Sequence, residues 1–272
     1  MGLRVNTNVA SLTAQRNLAS VTGRLQGNFA RLSSGLRIAT ASDDAAGLGI
    51  SERMRSQIRS YAVAGRNAQD GVSLTQTAEG SLQEVSNNLN RMRELAVQAA
   101  NGTLTTTDRA TIDAEFQELV TEIDRVAGDT SFNGLNLLDG STASIDLQVG
   151  TDAGDTITVN MVDTTAATLG VDALDVTSAA NASTALAAID TAIDTVSTGR
   201  GTLGAAQNRL NSAIASIANT RENLSAAESR IRDVDVAAET ADLTRNTIMQ
   251  QAAVSVLAQA NVQPQLALNL LG

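Results

Sequence analysis

The 272-residue chain has no cysteine, no histidine, no tryptophan and no lysine; all 19 of its cations are arginine. Each absence excludes a chemistry. Without cysteine there is no disulfide framework, no thiolate nucleophile and no cysteine-bearing metal site. Without histidine the commonest general base near neutral pH and the commonest zinc ligand are missing. Without lysine there is no Schiff base and no P-loop. An enzyme, a cofactor and a metal site are therefore not expected. Aromatic residues make up 1% of the chain, so the side chains that bury the most area are scarce. Ala, Leu, Ile and Val must carry the packing, which suits long helices with narrow seams.

The net charge of −10 argues against a nucleic-acid binder. No apolar run approaches the ~18–20 residues of a membrane span. The opening MGLRVNTNVASL has no continuous apolar stretch, so no cleavable signal is expected. Charge is laid out in blocks. Residues 1–42 hold five Arg and no acid, residues 136–199 hold nine Asp and no Arg, and the 27 residues after Arg245 hold no charge.

Hydrophobic periodicity fills the rest. Ile189, Val196, Leu203, Leu210, Ile217, Leu224 and Ile231 are seven apart, each followed three residues later by a mostly small residue. This is an a/d heptad seam on one helix of about 184–235, with a bend expected at Gly199, Gly201 and Gly204. A second helix of about 44–100 carries Leu82, Val85, Leu89 and Met92 on one stripe and would be about 85 Å long. A third, about 108–128, carries Ile112, Phe116, Leu119 and Ile123. The period then changes: Ile145, Leu147 and Val149, then Ile157, Val159 and Met161, alternate with polar residues around a Gly-Asp turn. A β-hairpin over about 144–162 is expected, followed by an irregular surface segment over 163–183.

The chain ends carry apolar faces: Leu18, Val21, Leu25, Phe29 and Leu32 at one end, and Ala253, Val256, Leu257 and Ala260 at the other. They either pair within one chain or stay loose until they pack against other copies. A seam of Ala and Leu buries little area against an ordering cost of about 1–2 kcal/mol per residue, which favours the second state. The expected fold is mainly α: a long-helix coiled-coil rod or bundle with a small mid-chain hairpin. The expected domains are an inner coiled coil of both termini (1–42 and 236–272) and a wall domain over 43–235.

Several segments resemble bacterial flagellin: Val5-Asn-Thr-Asn8, Arg31-Leu-Ser-Ser-Gly-Leu-Arg-Ile38, Ser42-Asp-Asp-Ala-Ala-Gly-Leu48, Arg66-Asn-Ala-Gln-Asp-Gly71 and Arg91-Met-Arg-Glu-Leu-Ala-Val-Gln98, then Phe132-Asn-Gly134, Gln207-Asn-Arg-Leu-Asn211, Ser229-Arg-Ile-Arg-Asp233 and Val256-Leu-Ala-Gln-Ala-Asn261. The order Val262-Gln-Pro-Gln265 and the final Gly272 depart from the family's usual ending. The resemblance implies a minimal flagellin without outer variable domains: a structural subunit that self-assembles into the helical flagellar filament for swimming. The alternative is a hook–filament junction (hook-associated) protein. It further implies secretion to an extracellular filament, and as partners other flagellin subunits, a flagellin export chaperone, a filament cap protein, hook-associated junction proteins and the flagellar type III export apparatus. Animal Toll-like receptor contacts, carried over by motif, are Leu89, Arg91, Glu94, Leu95, Gln98 and Glu115, with Leu95 as anchor. The segment Ala30–Ser51 resembles the peptide read by a plant flagellin receptor.

Overall fold

The computed structural model describes residues 7–269, and the side chains of 7–262. Val5, Asn6 and Gly272 of the motifs above lie outside the described residues, as do the side chains of Gln263, Pro264 and Gln265. The elements run α1 Val9–Ser34, α2 Ala45–Ala99, α3 Thr106–Asp129, β1 Ser131–Phe132, β2 Leu135–Asn136, β3 Ser144–Gln148, β4 Thr156–Asn160, α4 Ala166–Leu169, α5 Ala179–Arg232 and α6 Val236–Asn269. The fold is mainly α with a small antiparallel region in mid-chain. It divides into two compact units, one of residues up to 56 and from 223 onward, the other of residues 57–222.

In the first unit α1 lies antiparallel against α6. Asn8 caps α1 by accepting from the Ser11 backbone at 3.0 Å, and Gly35 ends it in the left-handed region, φ 71°. The inner face of α1 steps through Ser11, Ala14, Leu18, Val21, Leu25, Asn28 and Leu32, all buried or half-buried. That of α6 steps through Glu239, Leu243, Asn246, Gln250, Ala253, Leu257 and Ala260. Alternating steps of three and four make both faces heptad seams. The described parts of both ends are therefore helical and paired within one chain. This is the arrangement that the small apolar area made the less favoured of the two; polar contacts across the seam, given below, supply what area does not. The α1–α2 connection is pinned by backbone bonds from Arg37 to Arg232 (2.7 Å) and from Val234 to Gly35 (3.0 Å).

In the second unit α2, α3 and α5 share one core. Leu82, Val85, Leu89 and Met92 of α2 meet Phe116 and Ile123 of α3 and Ile189, Val196, Leu203 and Leu210 of α5. A reciprocal box starts α3: the Asp108 N–H donates to Thr105 and the Thr105 N–H to the Asp108 carboxylate, at 3.3 and 3.0 Å. Asn133 (φ 51°) and Gly134 (φ 80°) make the tight turn between β1 and β2. Strands β3 and β4 pair Ile145 with Val159 and Leu147 with Ile157.

Two expectations are corrected here. First, α5 runs without a break through Gly199, Gly201 and Gly204, and it begins at Ala179 rather than near 184. Gly199 is a socket, not a hinge: a Cβ there would lie 2.6 Å from Val162 just beyond the hairpin. Gly71 on α2 likewise makes room for Leu147, with Leu210 beside it. Packing of the hairpin against the helix offsets the roughly 1 kcal/mol that each helical glycine costs. Second, residues 163–183 are not an irregular surface segment. Ala166, Leu169, Val171 and Val176 are buried in the core. Asp124 and Asp113 of α3 accept from the backbone N–H groups of Ala166 and Val176 at 2.7 and 2.9 Å, and Gln117 donates to the Leu174 carbonyl at 2.8 Å. Side chains on a helix satisfy the strap's backbone, so it can be buried without strands of its own.

Candidate functional site

Most of the large exposed apolar side chains lie on the two terminal helices, the others among the described residues being Ile50, Val63 and Val97 on α2 and Leu135 on β2. Among the described residues, Val9, Leu12 and Phe29 of α1 and Val236, Ile248, Val254, Val256 and Val262 of α6 are all more than 40% exposed. Of the residues expected to pack the termini, Leu25 and Ala260 are buried in the α1–α6 seam. Leu18, Val21, Leu32, Ala253 and Leu257 are half-buried there. Phe29 and Val256 point away from the seam, each 59% exposed. A helix pair that covers one apolar stripe and leaves others open offers area to a further helix.

Polar groups cross the seam at two levels. Asn246 donates to Asn28 at 2.8 Å, and Asn28 donates to Glu239 at 2.5 Å. Arg31 closes the chain on the same carboxylate oxygen, Nη2 to Oε1 at 2.7 Å. The Arg31 hydrogen bond holds the Glu239 carboxyl below the usual glutamate range, against the opposing effect of burial. Toward the other end of the pair, Ser11 donates to Asn261 and the Asn8 amide to the Ala260 carbonyl, both at 2.7 Å. Sequence reasoning missed these contacts. Its one available signal was polar Ser11, Asn28 and Asn246 at heptad positions.

On α5 the heptad residues Ile189, Val196, Leu203, Leu210 and Ile217 are buried in the second unit. Leu224 and Ile231 are half-buried and belong to the first. The receptor-contact set divides. Arg91, Glu94, Gln98 and Glu115 are exposed, with Arg91 bonded to Glu94 at 2.9 Å and to Glu115 at 2.8 Å. Leu89 (0% exposed) and Leu95 (2%) lie in the core. This corrects the expectation of Leu95 as a surface anchor: the helical step that puts Met92, Leu95 and Ala99 on one stripe faces that stripe inward. Among the described residues no three of Asp and Glu stand together as a metal site requires, and no helix is long and apolar enough to cross a membrane.

Comparison with known proteins agrees along the whole chain. Residues 5–143 match the bacterial flagellin N-terminal helical region, and residues 186–271 the bacterial flagellin C-terminal helical region. The chain belongs to the bacterial flagellin family. It is a structural subunit of the flagellar filament. It is 49% identical to the flagellin of Halalkalibacterium halodurans, over 98% of this chain and 99% of the relative. To Bacillus subtilis flagellin it is 46% identical, over 99% and 100%. The crystal structure of Bacillus cereus flagellin superposes with a TM-score of 0.52 at 38% identity, covering 56% of this chain and 88% of that one. A putative flagellar hook-associated protein from Vibrio parahaemolyticus reaches a TM-score of 0.60 at 18% identity, which is a likeness of fold alone. Between the two flagellin regions lie only the β3–β4 hairpin, α4 and the start of α5, so no outer variable domain is inserted.

Proposed function

We propose that this flagellin polymerises through the open faces of α1 and α6. In this reading residues 1–42 and 236–272 form the inner coiled-coil domain of the filament, and 43–235 its wall. The observation that carries it is the concentration of exposed apolar side chains on these two helices, together with the uncharged stretch after Arg245. Contacts between unlike faces whose rotation does not close extend without limit into a helical polymer. The acid-rich hairpin region faces solvent, where like charge keeps finished filaments apart.

The subunit acts without catalysis, outside the cell, and leaves it through the flagellar type III export apparatus. A flagellin chaperone covers the apolar C-terminal helix before export. A filament cap directs addition at the growing end, and hook-associated proteins join the base. The exposed set Arg91, Glu94, Gln98 and Glu115 supports a second reading, recognition of the free subunit by a Toll-like receptor. Ala30–Ser51 carries the same reading for a plant flagellin receptor.

The test is electron microscopy of the purified chain before and after seeding with filament fragments, with far-ultraviolet circular dichroism on the same samples. Long tubes support the proposal, and a gain of helix on assembly shows ends that order between neighbours. A fully helical species that never elongates overturns it and favours a junction protein.

A further inference from the structure

The α1–α6 seam is degenerate in its apolar part. Both faces repeat every seven residues, so a slide of one heptad sets apolar side chains opposite apolar side chains again. Leu, Val and Ala cannot choose between these alignments, and after Arg245 α6 has no charge with which to choose. Backbone bonds between Gly35–Arg37 and Arg232–Val234 anchor the near end of the pair, and along the seam itself the polar residues can choose. Asn28 and Asn246 are 2% and 8% exposed and satisfy each other. One slide sets Asn246 against Val21, and the opposite slide sets Asn28 against Ala253. Either leaves a buried amide with no partner and parts Glu239 from Arg31. Ser11 and Asn261 repeat the discrimination toward the other end of the pair.

We propose that Asn28, Asn246 and the Arg31–Glu239 pair, with Ser11–Asn261, are register-setting residues that admit one antiparallel alignment of the two chain ends. They thereby decide which apolar side chains the helix pair presents to a second copy, Phe29 and Val256 among them. Only this last consequence rests on the polymer reading above.

Because the chain has no cysteine, introduced thiols report the alignment directly. Ser11→Cys is combined with Asn261→Cys for the observed register, or with Val254→Cys for a slide of one heptad. Each pair is placed in the native seam and in a seam carrying Asn8→Ala, Asn28→Leu, Glu239→Leu and Asn246→Leu. Intrachain bridges are read as fast-migrating monomer on non-reducing gels, from free chain and from pelleted filaments. The native seam is expected to favour the 11–261 bridge over the 11–254 bridge by at least about tenfold, and the apolar seam to bring the two within about twofold. An apolar-seam chain of unchanged helicity that keeps a tenfold preference overturns the proposal. So does a native seam that forms neither bridge in either sample. If the fourfold variant loses helix, Asn246→Leu alone is the readout, and an unaltered preference there overturns the proposal too. Chains that bridge 11–261 but never form filaments refute the polymer reading and leave the register standing.

Discussion

Val162 lies against Gly199, so closely that a Cβ on the glycine would come within 2.6 Å of Val162 Cγ2 and 3.3 Å of Cγ1. A branched side chain next to the hairpin thus occupies the space that a glycine leaves on α5. Gly201, two residues on, has nothing within 4 Å of its Cβ position. The two glycines share a helix and differ in what they face.

Alanine should therefore act oppositely at the two positions. Gly201→Ala is expected to stabilise the chain by about 0.5–1 kcal/mol through helix propensity. Gly199→Ala is expected to destabilise by about 1–2 kcal/mol, overpacking outweighing propensity, and Val162→Ala in the same chain should recover part of the loss. Urea unfolding of the free subunit measures all three. Equal stabilisation by both alanines would refute the socket.

The strap over 163–178 hangs on two carboxylates of α3. Asp113→Ala and Asp124→Ala should each cost about 1–2 kcal/mol, because each strands a backbone N–H beside the core. Hydrogen exchange should quicken at Val176 in the first variant and at Ala166 in the second. Unchanged protection at both amides would show that the apolar side chains alone hold the strap.

Acid should loosen the terminal helix pair. The folded Glu239 carboxyl is held below its ordinary range by Arg31, so its contribution is fully present above the unfolded glutamate pKa. That contribution is lost as pH falls through the lower folded value. The Asp43 carboxyl is also held below its ordinary range, chiefly by the Thr40 backbone N–H, and adds to the same trend. Thermal unfolding followed by circular dichroism from neutral pH down to about pH 3 should show a fall that Glu239→Gln flattens. A slope unaffected by that substitution would place the acid response elsewhere.

Charge on the terminal helix should separate folding from assembly. Leu257→Asp puts a carboxylate in the α1–α6 seam and should block both filament growth and helix pairing. Val256→Asp, on an open face, should leave the free subunit's melting within about 0.5 kcal/mol and still abolish elongation from seeds. Normal filaments from Val256→Asp would take that face out of the polymer contact.

Leu95→Ala should destabilise the second unit by about 2–4 kcal/mol, since the side chain is 2% exposed. Arg91→Ala should leave stability nearly unchanged, because its ion pairs are half-exposed and screened by solvent. Receptor signalling by the purified subunit should fall with Arg91→Ala at constant stability. If only Leu95→Ala lowers it, loss of fold explains the effect and the Arg91 patch is not a contact.

The sequence by itself determined the helices, the hairpin and the family. Heptads from Ile189 onward, the stripe from Leu82 and the alternation from Ile145 are local periodicities, and a period survives whatever the chain packs against. It also narrowed the class of function, because missing residue types remove the commonest catalytic groups, and the segments shared with flagellin pointed to a filament subunit. What only the tertiary structure decided was which neighbour each surface meets. Gly199 reads as a helix breaker until Val162 is set against it. Residues 163–178 read as loop because their backbone partners, Asp113 and Asp124, lie some 40–60 residues earlier. Leu95 reads as an anchor until its stripe is turned to the core, and Asn28 as a flaw in a seam until Asn246 stands opposite. Each of these is a contact between residues distant in the chain, whose sign depends on burial and on a partner that no local pattern encodes.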